Sequence, residues 1–150
     1  MPAIINFYGL SEDHVGNFSD QFMTILDLAP SFLEIAGTKH PGTTYNGRAV
    51  NAYQGASAMP YLRGQADNIH GDDYAFGWES VGRPAMRKGD WKIVALQKPL
   101  GTGEFELFNL KDDPGETTDL KSDYPEKFED MRILWHKYAA ENGVVAASDL

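Results

Sequence analysis

Four strand-like segments follow one another between residues 74 and 110, and they constrain the fold more than any other part of the sequence. They cover residues 74 to 78, 85 to 87, 91 to 96 and 105 to 110. The residues Lys88-Gly89-Asp90 between the second and third segments are a tight hairpin signal. Because strands joined by short turns without intervening helices pair antiparallel, the sequence predicts an antiparallel sheet of about four strands.

The last part of the chain predicts one long helix. Pro125 suits the first helical position, and Gly143 suits the residue just after the end. Apolar residues recur at three- and four-residue spacing along one face, namely Phe128, Met131, Leu134, Trp135 and Tyr138. This face is expected to cover the sheet, so the fold class is α+β.

Two further elements are predicted near the start. Residues 2 to 8 form a nearly continuous apolar run, typical of a strand buried on both faces, and such a strand needs neighbours on both sides. The stretch DLAPSFLEIAG predicts a helix that Asp27 caps and Gly37 ends. Its expected buried stripe consists of Leu28, Phe32, Ile35 and Ala36.

The segment from 38 to 72 is rich in Gly, Pro, Asn and Ser, with one short possible helix at residues 56 to 62. It reads as a surface connector between two units, which divides the chain into residues 1–37, 38–72 and 73–150. Its histidines, His40 and His70, could line a pocket, although the usual position of loop residues favours solvent exposure.

Composition excludes several classes of protein. The formal charge of −9 and the pI near 4.7 disfavour nucleic acid as a partner. The chain has no cysteine, which excludes disulfides, zinc-thiolate sites and a cysteine nucleophile. No run of about 18 apolar residues occurs, so no membrane span is expected. The compartment stays open between bacterial cytoplasm and periplasm.

The acidic stretch ELFNLKDDPGETTDL, residues 106 to 120, resembles a calcium loop only superficially. A calcium loop of the helix-loop-helix type needs ligands at alternating positions, a central glycine and a glutamate at the twelfth position, and this spacing fails that test. Pro114-Gly115 instead predicts a type II turn with glycine at the positive-φ position. No metal site is predicted.

The basic hairpin RPAMRKGDWK is the most cationic stretch of the chain. Backbone amides and arginine there could receive an anion, but solvated surface charge is the favoured interpretation. Neither a Gly-x-Ser-x-Gly elbow nor a Ser-x-x-Lys pair is present, so no catalytic residue is predicted.

Four stretches, in order, resemble the C-terminal part of a sulfatase of the bacterial arylsulfatase type. They are DLAPSFLEIAG (residues 27 to 37), GASAMPYLRG (55 to 64), GWESVGRPAMRKGDWKIV (77 to 94) and ELFNLKDDPGETTDL (106 to 120). The second is similar to the family segment S-x-x-P-x-L-x-G, and the last to ELYDL-x-x-DP-x-E-x-x-NL.

The resemblance implies that residues 1–37 are the end of a large α/β catalytic domain and that 73–150 form its small antiparallel subdomain. Family members hydrolyse sulfate esters with a formylglycine, made in a C/S-x-P/A-x-R motif, and with a calcium ion. This chain has no cysteine, and no serine begins that motif. Calcium and formylglycine are therefore expected in a full-length enzyme, whereas no cofactor is expected in this chain.

The resemblance also implies candidate residues and partners. Trp78, Glu79 and Arg83, with His40 behind them, are the candidates for bordering a substrate cleft. The expected partner is the missing N-terminal sulfatase domain, and self-association through residues 1–37 is expected because that part lacks its sheet neighbours. Two alternatives stay open: a free-standing binding or assembly module, and the complementing half of a split sulfatase.

Overall fold

The computed structural model describes residues 3 to 145. The chain forms two compact units, Met1–Gly71 and Asp72–Leu150, called the first and second unit below. The assignment of the first unit to the end of a large catalytic domain stays a prediction.

The second unit is built on one antiparallel sheet. Its strands are β3 (Ala75–Glu79), β4 (Pro84–Lys88), β5 (Trp91–Ala95) and β6 (Phe105–Asn109), and they lie in the order β3-β4-β5-β6. Each strand pairs with its neighbour in sequence, as the short turns required. The predicted α+β class and four-stranded sheet are confirmed.

Helix α3 (Pro125–Asn142) covers one face of this sheet. Because side chains alternate between faces along a strand, the paired residues Gly77, Met86, Ile93 and Leu107 all lie on the helix side. The buried core there contains Met86, Ile93, Leu107, Met131 and Trp135. The predicted apolar face of the helix therefore does pack on the sheet.

The opposite face of the sheet holds a second buried cluster. Ala85, Val94 and Phe108 are its centre, and Trp78, Leu96 and Leu110 pack around them. The small subdomain thus has apolar residues on both faces of its sheet.

The acidic stretch after β6 folds back along the edge of that strand. Asp119 accepts a hydrogen bond from the amide of Leu107, and Leu120 donates its own amide to the carbonyl of Leu107. These contacts replace the missing neighbour of an edge strand. The Asp119 carboxylate therefore stabilises the return of the chain along β6.

The type predicted for this turn is wrong. Gly115 does not have a positive φ, whereas Glu116 does, at +55°. The amide of Glu116 donates to the carbonyl of Asp113, and Asp113 also receives the amides of Thr117 and Thr118. The hydrogen bonds that Asp113 accepts from these amides set the geometry of the turn, so the Pro114-Gly115 pair does not determine it.

The first unit has little regular structure. It contains β1 (Thr44–Tyr45), β2 (Arg48–Ala49), α1 (Leu28–Ile35) and α2 (Met59–Leu62). Helix α1 ends as predicted, with Gly37 in the left-handed region at φ +64°. The short helix α2 lies within the range predicted for it.

The strand predicted over residues 2 to 8 is wrong for its described part, residues 3 to 8. These residues have no strand geometry, and Ile4 is fully exposed. A strand requires a hydrogen-bonded neighbour, and no segment between residues 3 and 145 pairs with them. The apolar run is real, but apart from the half-buried Phe7 its described residues are exposed.

The buried stripe predicted for α1 is also wrong. Phe32 and Ile35 are 62% and 54% exposed, and Leu28 is exposed as well. The buried residue of the helix is Ser31, preceded by the buried Asp27. Helix α1 packs against the connector through its polar side, so its apolar side faces outwards.

Within residues 3 to 145, no helix combines the length and the apolar character that crossing a membrane requires.

Candidate functional site

A buried aspartate organises the first unit. The side chain of Asp27 is fully buried and accepts three hydrogen bonds: from the Thr24 amide at 2.6 Å, the Ala56 amide at 2.9 Å and His70 Nε2 at 3.0 Å. A buried carboxylate is stable only with such partners. Sequence reasoning treated Asp27 as a helix cap, but its side chain holds the connector against the start of α1.

Ser31 extends this network by one step. Its hydroxyl donates to the carbonyl of Asp27 and accepts the amide of Ala58. Gly55 lies so close to the backbone at Leu26 that a Cβ would fall 2.3 Å from its carbonyl oxygen. The segment GASA is thus held at the start of α1 by the side chains of Asp27 and Ser31. The absence of a Cβ at Gly55 permits the close approach to the backbone at Leu26.

Burial alone would raise the pKa of Asp27, but hydrogen bonds from Thr24, Ala56 and His70 outweigh it and lower the pKa below its ordinary value. The side chain of His70 is only 8% exposed, so the expectation that this histidine is solvated is wrong. No local pattern in the sequence indicates this pair, because 43 residues separate its members.

His40, a candidate border residue, lies in the first unit beside Tyr53. The two ring centroids are 4.2 Å apart, and the Nδ1 atom of His40 accepts the amide of Gly42. Both rings line an open cavity of about 420 Å³ at the end of α1, together with Pro30, Leu33, Glu34 and Lys39. The rings of His40 and Tyr53 therefore form one aromatic side of this cavity.

The other three candidates, Trp78, Glu79 and Arg83, lie on the β3–β4 hairpin of the second unit. The structure brings them onto one hairpin but not onto one face, because Trp78 and Glu79 are consecutive strand residues. The Glu79 carboxylate accepts the amide of Gly82. Their role at a cleft stays a prediction, as does that of His40.

Trp78 has cationic and aromatic neighbours. Its ring stacks on Phe76, with centroids 5.5 Å apart, and Lys92 Nζ lies 5.5 Å from its centroid. Lys92 also forms an ion pair with Glu116. Through this pair the acidic stretch is fixed to the sheet face that carries Trp78.

Ion pairs involve two of the four cationic side chains of the basic hairpin. Lys92 pairs with Glu116, Lys88 pairs with Asp73 at 2.9 Å, and Arg87 Nε donates to the carbonyl of Gly89. Arg83 is exposed and has no ion-pair partner within the described part of the chain. The favoured interpretation of this stretch as surface charge is consistent with these contacts.

A second open cavity, of about 480 Å³, lies in the second unit between the β4–β5 turn and the first turns of α3. Both acidic and basic side chains line it, namely Asp72, Lys88, Asp90, Lys127 and Asp130. Among residues 3 to 145, no group of three or more histidine, aspartate or glutamate side chains is placed to hold a metal ion.

No family model matches the sequence. A search of curated proteins matches an uncharacterized sulfatase of Schizosaccharomyces pombe, 35% identical over 149 residues. The match covers 99% of this chain but 26% of that protein, and it lies in its C-terminal portion. The chain is similar to the C-terminal portion of a sulfatase. It spans about a quarter of the length of the relative that it matches.

Solved structures show the same fold. A putative sulfatase from Bacteroides thetaiotaomicron superposes with a TM-score of 0.55 at 24% identity, covering 77% of this chain and 24% of that chain. A protein described as a 2-O GAG sulfatase gives 0.52 at 22%, covering 79% and 25%. At these identities the comparison establishes the fold alone, which is that of a sulfatase C-terminal subdomain.

Proposed function

We propose that the chain is the C-terminal portion of an arylsulfatase, a sulfuric ester hydrolase, and that it supports the fold of that enzyme. The observation that carries this proposal is the alignment of nearly the whole chain with only a quarter of a sulfatase. The helix-covered sheet supports it, because the same arrangement occurs in the sulfatase structures. Because fold alone does not establish activity, the hydrolysis of sulfate esters by the whole enzyme is part of this proposal.

The reactive group is proposed to lie upstream of this stretch. The formylglycine motif needs a cysteine or a suitably placed serine, and this sequence has neither. The described residues do not fit calcium either, because they contain no cluster of three possible ligands. A formylglycine hydrate attacks only where neighbouring cations stabilise the developing charge. The chain is therefore proposed to be inactive alone.

The upstream portion is proposed to pack on the exposed apolar side of the first unit. This surface, called the α1 face, consists of Ile25, Leu28, Phe32 and Ile35, which are 75%, 37%, 62% and 54% exposed. Contiguous apolar patches of this kind mark interaction sites. The three-quarters of the relative that the chain does not match provides an occupant of suitable size.

The β3–β4 hairpin and His40 are proposed to border the substrate cleft of the assembled enzyme. Arg83 supports this role, because it is an exposed guanidinium without an ion-pair partner in the described residues, and guanidinium groups bind anions in bidentate fashion. Trp78 would add an aromatic surface beside it. Arg83→Ala should then raise KM for an aryl sulfate in the assembled enzyme without changing thermal stability.

The activity is tested with the isolated chain and with a chimera. The chimera is the fission-yeast relative with its matching C-terminal stretch replaced by this chain. We expect the isolated chain, incubated with p-nitrophenyl sulfate and calcium, to give no turnover above the blank. We expect the chimera to fold as one cooperative unit. Turnover by the isolated chain, or a chimera that unfolds in separate steps, would overturn the proposal.

A second candidate function is an assembly module, and the same α1 face favours it. In the absence of an upstream portion, this face is expected to pair with a second copy. Sedimentation of the isolated chain should then show a concentration-dependent dimer, and Phe32→Glu should return it to a monomer. A matched control, Ile133→Glu, changes an equally exposed apolar residue on α3 and should leave the dimer intact.

A further inference from the structure

Two hairpins of this chain use the same tight turn with different residues. In the β1–β2 turn, Asn46 and Gly47 have φ values of +49° and +74°. In the β3–β4 turn, Val81 and Gly82 have +54° and +73°. Both are two-residue turns with positive φ at both central positions, the type that strongly prefers Asn-Gly. The chain thus uses the preferred pair in one turn and places valine in the other.

Valine is unfavourable at this position because it is β-branched. Left-handed backbone geometry is rare for any residue with a Cβ, and a branched side chain makes it a genuine outlier. The neighbours hold the turn: Ser80 and Arg83 exchange backbone hydrogen bonds, and the Glu79 carboxylate receives the amide of Gly82. The turn geometry therefore does not depend on the Val81 side chain.

Packing of the Val81 side chain does not offset this strain. Val81 is 89% exposed at the tip of the hairpin. Strained residues of this kind cluster at functional sites, and an exposed aliphatic side chain gains free energy when an apolar pocket removes it from water. Burial of the side chain in a partner would provide the apolar transfer free energy that the isolated chain lacks.

We infer that Val81 is a contact point that inserts into an apolar pocket on the upstream portion of the sulfatase. This inference rests on the proposed function, which supplies the partner. An apolar pocket on a protein suits the Val81 side chain, because an aliphatic group offers no hydrogen bond to a sulfate.

The test compares one substitution in two contexts. Val81→Asn restores the preferred Asn-Gly turn and removes the aliphatic tip. In the isolated chain it should raise Tm by about 4 °C, because the strain is relieved. In the chimera it should lower Tm, because an inserted side chain is lost. We therefore expect Val81→Asn to change Tm in opposite directions, upwards in the isolated chain and downwards in the chimera.

The reverse substitution in the other hairpin is the control. Asn46→Val introduces the same strain without a proposed contact, so it should lower Tm in both contexts. The inference is overturned if Val81→Asn raises Tm in both, lowers it in both, or changes neither. It is also overturned if Val81→Asn dissociates a dimer of the isolated chain, since a second copy would then be the occupant. A wild-type chimera that does not fold cooperatively would count against the proposed function instead.

Discussion

Asp27 links three segments that are distant in sequence. The carboxylate receives one donor from the turn before α1, one from the connector at Ala56 and one from His70. Because these donors come from positions 24, 56 and 70, the loss of this one side chain removes the acceptor that three part-buried groups share. Leaving a buried donor unsatisfied costs about 1–3 kcal/mol.

Replacing Asp27 with alanine should therefore destabilise the first unit by about 3 kcal/mol or more. Trp78, Trp91 and Trp135 all lie in the second unit, so tryptophan fluorescence does not report this loss. Hydrogen exchange at residues 24 to 36 and 55 to 58 does, and it should become faster. Asp67→Ala, at an exposed aspartate in the same unit, is the control and should change nothing.

Two aspartates should make the fold sensitive to acid. Burial would raise the pKa of Asp119, but the amides of Leu107 and Lys121 outweigh it and lower the pKa, as also occurs at Asp27. A carboxyl whose pKa is lowered on folding binds fewer protons in the native state, so its contribution is present above about pH 4 and is lost on acidification.

The urea midpoint should accordingly fall as pH decreases from about 4 to 2, and Asp119→Asn should show a weaker dependence of that midpoint on pH. The measurement is a series of urea titrations followed by tryptophan fluorescence, which reports the unit that contains Asp119. Identical slopes for the wild type and Asp119→Asn would show that this carboxylate does not contribute.

At the level of elements, the close approach of α3 to the sheet depends on Gly77. A Cβ at this position would lie 2.5 Å from the ring of Tyr138, so the helix and strand β3 are in direct contact there.

Short turns and a three- to four-residue apolar period are local signals, which explains why the sheet and α3 could be predicted from sequence.

Gly77→Ala should destabilise the second unit by about 1–3 kcal/mol, because overpacking forces α3 or Tyr138 to move. Urea unfolding followed by the fluorescence of Trp91 and Trp135 measures the effect. Gly115→Ala is the matched control, because Gly115 lies in the same unit and the nearest atom to its Cβ position, in the Thr117 side chain, is 3.4 Å away. A stability equal to wild type for Gly77→Ala would contradict the packing described for this face.

The elements that sequence could not predict depend on partners distant in the chain. An apolar run at residues 2 to 8 indicates a strand only if neighbouring strands exist, and none does among the described residues. The orientation of α1 is set by Asp27 and Ser31, two polar residues whose partners lie 27 to 43 positions away. The apolar residues of α1 do lie at helical spacing, but they are exposed, because the side that packs on the described part of the chain is the one that carries Asp27 and Ser31.

At the level of the whole molecule, the two units differ in how well they bury their apolar residues. The second unit encloses a core between its sheet and α3, whereas the first unit exposes Ile25, Phe32 and Ile35. The proposed packing of an upstream portion on the first unit accounts for this asymmetry, because the surface that it would cover is open in this structure. The four candidate border residues, His40, Trp78, Glu79 and Arg83, would likewise border a substrate cleft only in the assembled enzyme.

The most direct measurement is hydroxyl-radical footprinting of Phe32 in the dilute isolated chain and in the chimera with the fission-yeast relative. The ring is 62% exposed in this structure and should be strongly labelled in the isolated chain. If the upstream sulfatase portion packs on the α1 face, Phe32 should be protected in the chimera while Ile133 on α3 stays labelled. Equal labelling of Phe32 in both proteins would contradict the account.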